Sequence, residues 1–132
     1  MYRQKYSYYS TSKCEYNGHL YDSKFEAGYA QQLDIRLKAK DIVKWEAQKT
    51  LDLIVNGFKV CTYRIDFIVY YEDGTIEYVE TKGYATPVWR LKWKLFEATY
   101  ADIPGVRLLL VKQGKFNIRH PKKLPKELWK KN

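Results

Sequence analysis

Asp66 lies in the run Arg64-Ile65-Asp66-Phe67-Ile68, and a short turn separates it from Tyr78-Val79-Glu80-Thr81-Lys82-Gly83. Two carboxylates and a lysine thus fall on consecutive extended segments, and Glu26 adds a third carboxylate upstream on a helical stretch. Hard divalent cations bind through oxygen ligands, and an ammonium beside them can orient or activate an attacking water. The set is suited to metal-assisted hydrolysis of a phosphodiester. Taken singly, each residue has an ordinary reading. Glu26 could be only the reciprocal partner of a Ser23 helix cap, and a lone strand Asp is usually a surface residue. Glu80 and Lys82 could be a same-face pair contributing roughly a few tenths of a kcal/mol. Taken together, they would require a two-sided apolar hairpin to bury two acids and a lysine without purpose, and unpaired buried charge is costly.

The elements that must position these groups follow from periodicity and turn chemistry. Residues 1–20 are rich in Tyr, Ser and Lys and are expected to form a largely irregular arm, with Asn17-Gly18 joining short edge strands at Lys13–Tyr16 and His19–Tyr21. From Ser23 to about Lys40, Phe25, Tyr29, Leu33 and Leu37 recur every four residues, and Ser23 with Glu26 fits a capping box. Trp45 to Val55 and Phe58 to Tyr71 then read as strands about an Asn56-Gly57 hairpin turn. Thr75 to Lys82 is a third strand, and Thr86-Pro87 opens a second helix reaching about Tyr100, with the stripe Trp89, Trp93, Phe96 and Tyr100. Val106 to Val111 is a continuous apolar run suited to a buried strand. The stretch after His120 reads as a short helix or a mobile tail.

The turn at 72–74 decides whether the acids can meet. A two-residue Asp73-Gly74 turn would place Asp66 across from Thr81 and separate the carboxylates. A three-residue Glu72-Asp73-Gly74 loop with Gly74 left-handed pairs Tyr71 with Thr75 and sets Asp66 opposite Glu80. In that register Ile68, Tyr70, Ile76 and Tyr78 share the acid face, and Ile65, Phe67, Val69 and Val79 the other. Both faces are apolar, so the expected class is α/β, a central mixed β-sheet flanked by α-helices on both faces. The first helix is expected over the acid face, with Glu26 pointing down at the site. Strict pairing from Asn56-Gly57 would aim Gln48 at Ile65, away from the acids. Only a bulge in the long second strand would bring it in.

Composition bounds the remaining possibilities. The chain has 132 residues, the size of a single domain, and a formal net charge of +9. Basic residues concentrate at the ends: Arg3, Lys5 and Lys13 without an acid at one, and Arg119, Lys122, Lys123, Lys126, Lys130 and Lys131 against Glu127 at the other. The body between them is nearly neutral. Such ends can neutralise phosphates irrespective of sequence, or act only as solvated tails. No apolar run suggests a membrane span or a signal peptide, and Cys14 and Cys61 read as reduced thiols.

In the order helix, strand, strand, the Glu26, Asp66 and Glu80-Thr81-Lys82 set resembles the PD-(D/E)XK nuclease superfamily. The likeness is greatest to small phage-encoded members of the Holliday-junction-resolvase-like kind, over roughly residues 16–100. It is carried by Tyr16-Asn17-Gly18, Tyr21-Asp22-Ser23-Lys24-Phe25-Glu26-Ala27, Gln48, Tyr63-Arg64-Ile65-Asp66-Phe67, Val79-Glu80-Thr81-Lys82-Gly83, Thr86 and Leu91-Lys92-Trp93-Lys94-Leu95. Ile65 stands where the namesake proline would be, which removes no chemical group.

The resemblance implies a restriction-endonuclease-like fold and a Mg²⁺ cofactor that Mn²⁺ can replace. Asp66, Glu80 and the Thr81 backbone carbonyl would be metal ligands, Glu26 a direct or water-mediated one, and Lys82 the water-orienting cation. Gln48 would be accessory. Arg90 and Lys94, at i and i+4 beside the aromatic stripe of the second helix, read either as an edge gripping the DNA backbone or as an ordinary solvated face, and Lys24, Arg64 and Lys92 are further candidate DNA contacts. The implied activity is endonucleolytic cleavage of branched DNA by a homodimer in the cytoplasm of a bacterial host, phage- or prophage-encoded, with no membrane or organic-cofactor role. The alternatives are a non-catalytic nucleic-acid-binding protein on the same fold and a restriction-type duplex nuclease.

Overall fold

The computed structural model describes residues 13–112 and 115–129. The expected arm therefore falls largely outside the described residues, including the aromatics of 2–9. The described residues form an α/β structure, with a five-stranded mixed sheet, a separate two-stranded hairpin and two α-helices. The small hairpin joins β1 (Cys14–Tyr16) to β2 (His19–Tyr21) through Asn17 and Gly18, both at positive φ, the geometry that matches strand twist. Helix α1 (Lys24–Lys38) follows directly. Strands β3 (Lys44–Val55), β4 (Phe58–Tyr70) and β5 (Ile76–Thr81) form an antiparallel meander. Helix α2 (Pro87–Tyr100) then crosses to β6 (Val106–Lys112), which lies parallel to β5.

The sheet order is β3-β4-β5-β6-β7, closed by β7 (Lys115–Ile118) antiparallel to β6. Strand β7 has no counterpart among the expected elements. It is four exposed residues long, so no burial pattern marks it. The last described segment carries a short 3₁₀ turn at Lys126–Leu128, and Lys123 pairs with Asp102 just beyond the C-terminus of α2.

Helices cover both sheet faces. Ala27, Tyr29, Ala30 and Leu33 of α1 pack with Phe67, Val69, Val79, Leu109 and Val111. Trp93 and Phe96 of α2 pack with Tyr63, Ile65, Ile68 and Leu108, and Tyr78 and Leu110 border that cluster. Leu37 does not share the buried stripe of α1 and is 37% exposed. A spacing of four residues overshoots the 3.6-residue turn, so the face drifts; the buried positions are Glu26, Ala27, Tyr29, Ala30 and Leu33.

The 72–74 connection is the three-residue loop. Tyr71 N donates to Thr75 O at 2.9 Å, Gly74 N donates to Tyr71 O at 3.1 Å, and Gly74 adopts φ +90°. The pairs Tyr70↔Ile76, Val69↔Glu77, Ile68↔Tyr78 and Phe67↔Val79 follow. The pairing ends at Phe67↔Val79, one step short of Asp66 and Glu80.

The expected position of α1 requires correction. This helix covers the face of Phe67 and Val69, not the face that alternation assigns to the acids. Ile65 is likewise displaced, because it packs with α2 beside Ile68. In an unbroken strand residues 63, 65, 67 and 69 would share one face. Here Tyr63 and Ile65 look toward α2 while Phe67 and Val69 look toward α1, so the facing of β4 changes at Asp66. Across from it, Gln48 has φ +55°, a left-handed residue within a strand.

Candidate metal centre

Glu26 is brought in by the start of α1. Ser23 caps the helix, its Oγ accepting from Glu26 N at 3.1 Å. The reciprocal half of the box is not made among the described residues. The Glu26 carboxylate turns inward, is 4% exposed and accepts from Gln48 Nε2 at 3.1 Å. A residue serving only as a cap would stay at the surface.

Gln48 reaches this position because β4 contains the bulge that strict pairing lacks. Val55 pairs with Phe58 and Ile54 with Lys59, but Leu53 pairs with Cys61, leaving Val60 as the extra residue. From there the register carries Gln48 opposite Asp66 instead of Ile65. Its Oε1 meets His19 Nε2 at 2.8 Å, which requires the proton on that imidazole nitrogen. A chain of polar contacts thus runs from the β2 hairpin through β3 to α1.

Asp66 is half-buried, and its Oδ2 accepts from both Thr81 N and Thr81 Oγ1 at 2.8 Å. Glu80, 4% exposed, accepts from Tyr63 OH on Oε2 at 2.5 Å and from Trp89 Nε1 on Oε1 at 3.2 Å. Lys82 rests its ammonium 4.6 Å from the centre of the Trp89 ring. Glu26 therefore arrives from the α1 side and Glu80 faces α2. Asp66 stands between them where the strand's facing changes.

The three acids share one electrostatic field. Burial pushes Glu26 up to about 7, and the Asp66 charge adds to the rise. Burial likewise raises Asp66 to about 6 against the opposing pull of the Thr81 hydrogen bonds, Lys82 and Arg64. Glu80 is held well above the usual carboxylate range by burial and then by Asp66. The buried Tyr63 phenol is raised as well, by desolvation and by Glu80.

The other buried acids provide the contrast. Glu77, on the same strand as Glu80, is bound by Arg107 Nε at 2.6 Å, and Glu97 meets Arg119 Nε at 3.4 Å. Among the described residues, Glu26 and Glu80 have no cationic side chain within ion-pair distance. A buried carboxylate without a counter-ion is destabilising unless something supplies the charge. Oxygen donors, burial and missing positive charge together fit a hard divalent cation held by Asp66, Glu80 and Glu26. No three His, Cys, Asp or Glu side chains among the described residues converge as a finished cage. Each carboxylate is instead turned onto Gln48, Thr81, or Tyr63 and Trp89.

Residues 5–117 match the family described as protein of unknown function DUF1064. The chain belongs to that family. No curated protein and no solved structure matches it.

In this DUF1064 chain the sequence-derived site is gathered only in part. Glu26 bonds Gln48 and Asp66 bonds Thr81, while Glu26, Asp66, Glu80 and Lys82 are linked through their charges without a direct hydrogen bond or ion pair among the four. Thr81 enters through its N–H and hydroxyl, which orient Asp66. Arg64 is exposed and pairs with Asp22 at 3.4 Å, and its charge is felt by both Asp66 and Glu26. Lys24, Arg90 and Lys94 are exposed and Lys92 is half-buried; among the described residues none bonds to the carboxylates. Three contributors lay outside the expected set. Tyr63 was hidden because alternation counted from Asp66 puts it on the wrong face. Trp89 read as part of a core stripe, and His19 carried no signal.

Proposed function

We propose that this protein is a Mg²⁺-dependent endodeoxyribonuclease with a restriction-endonuclease-like arrangement, acting on branched DNA. One observation carries the reading. Among the described residues four glutamates are buried, and the two with no basic partner there, Glu26 and Glu80, are the two on which the charge of Asp66 acts. The resemblance of the Glu26, Asp66 and Glu80-Thr81-Lys82 set to PD-(D/E)XK nucleases supports the same chemistry.

In this reading Asp66 and Glu80 would hold the cation, with Glu26 and the Thr81 carbonyl as further oxygen donors. When bound, the cation neutralises charge on the phosphate oxygens and polarises the phosphoryl group. The chain's own residues do the rest. Thr81 fixes the rotamer of Asp66 through two hydrogen bonds, and Gln48 fixes Glu26. Lys82 orients the attacking water for in-line displacement and offsets charge developing on the phosphate. Arg64 on β4, Lys24 at the start of α1, and the Arg90/Lys94 edge of α2 draw in the DNA backbone. A four-way junction presents two strands to be cut symmetrically, so a two-fold homodimer is the form expected to act on it.

Purified protein should be presented with Mg²⁺ and a panel of four-way junction, flap and plain duplex. Cleavage of the branched substrates is expected, with Asp66→Asn and Lys82→Ala retaining binding and losing cleavage by at least roughly 10²-fold. Discrete fragments from linear plasmid would point to restriction-type cleavage. Binding without cutting any DNA would make this a non-catalytic nucleic-acid-binding protein.

A further inference from the structure

Glu80 and Lys82 lie two residues apart on β5 and its continuation, where Lys82 N still donates to Val111 O at 2.8 Å. That spacing puts both side chains on one face, within reach of a direct ion pair. Among the described residues no such pair forms. Trp89, at the third position of α2, lies beside both groups. Its indole N–H donates to Glu80 Oε1 at 3.2 Å, and its ring lies 4.6 Å from the Lys82 ammonium. The indole is itself held by near-parallel stacking on Trp93, with centroids 5.8 Å apart and planes at 14°. Thr86 caps α2 by accepting from Trp89 N at 3.1 Å, which fixes the backbone that carries it.

We propose that Trp89 is a positioning residue that keeps Glu80 and Lys82 from neutralising each other. An indole suits this task because it offers a hydrogen-bond donor at its edge and a negative π face. Donation to Oε1, with Tyr63 on Oε2, fixes the carboxylate. The ring face supplies the ammonium with a partner that leaves it no acceptor oxygen to bond. Lys82 thus keeps its N–H donors for water and phosphate, and Glu80 keeps its charge for a cation. Without Trp89 the two side chains close on each other, and both functions are lost together. The catalytic consequence rests on the nuclease reading; the geometric one does not.

The test uses the full-length protein and reads Trp89 and Lys82 separately from activity. In nuclear magnetic resonance spectra the Trp89 indole N–H is the signal missing in Trp89→Phe. Glu80→Gln, which removes the acceptor's charge, is expected to move that signal upfield. Ring shielding is expected on the Lys82 ε-methylene protons, kept in Trp89→Phe and lost in Trp89→Leu. In cleavage assays at saturating Mg²⁺ and DNA, Trp89→Leu should lower the turnover rate on the order of 10²-fold with little change in KM. Trp89→Phe, which keeps the ring face, should recover part of that loss. An indole signal indifferent to Glu80→Gln, or Lys82 protons indifferent to Trp89→Leu, overturns the proposal. So does wild-type turnover in both Trp89 variants. Should the wild-type protein cut no DNA, the nuclease reading fails while the two spectroscopic results still decide the role of Trp89.

Discussion

Three acids that repel one another within a folded chain should leave a mark on stability. Folding raises Glu26 from 4.5 to about 7 and Asp66 from 3.8 to about 6, chiefly through burial. A carboxylate whose folded value is raised favours the folded chain while both states are protonated, and that advantage disappears as pH climbs through the folded value. In the presence of chelator, the melting temperature should therefore fall between about pH 4 and pH 8. Mg²⁺ should restore stability at the alkaline end and do little at the acid end, where protons already neutralise the site. Asp66→Asn should flatten the profile and stabilise the metal-free protein near pH 8 while abolishing cleavage, the exchange expected of a site built from strained charges. Scanning calorimetry across pH checks this, and a melting temperature that rises over the same window would contradict it. At this scale the sequence singled out Glu26, Asp66, Glu80 and Lys82 by residue type and spacing, and the burial of Glu26 and Glu80 is what the structure adds. Tyr63, Trp89 and His19 were not legible: their roles depend on where aromatic and imidazole edges point, which spacing does not encode.

At the scale of elements, turn chemistry was the readable part. Both Asn-Gly pairs form the expected hairpin turns, and Glu72-Asp73-Gly74 forms the three-residue loop that sets the register from Tyr70↔Ile76 to Phe67↔Val79. The unreadable part was the change of facing at Asp66 and Gln48. Alternation assumes an unbroken strand, so it assigned α1 and Ile65 to the wrong faces, and nothing marks Gln48 in advance as left-handed. A non-glycine residue in that region carries strain of roughly 1–2 kcal/mol, which persists where surrounding structure demands it. Gln48→Gly removes the strain together with the amide that holds Glu26. The melting temperature is expected to stay level or rise, while Mg²⁺ affinity measured by calorimetry drops. Unchanged affinity would show that the Gln48–Glu26 bond plays no part in the site.

For the whole molecule, the excess of positive charge bears on partner and rate. Not all of the basic C-terminal segment is free to meet phosphate, because Arg119 binds Glu97 and Lys123 binds Asp102. The sequence showed where the cations are but not which are already paired, since the acids that bind them lie on a distant helix and its end. Arg90 and Lys94 are exposed on α2, whose Trp89 faces the site, and are the cations expected to grip DNA. Affinity for DNA should fall steeply with salt, and replacing both by alanine should reduce the log–log slope by about two. A slope that does not change would remove that edge from the interface. The most direct test of the whole account is the cleavage rate of a labelled four-way junction against Mg²⁺ concentration, wild type beside Asp66→Asn. The wild-type rate should rise with Mg²⁺ and saturate, and the variant should stay at background. A folded wild-type protein that leaves the junction and every other DNA intact in Mg²⁺ and in Mn²⁺ would contradict it.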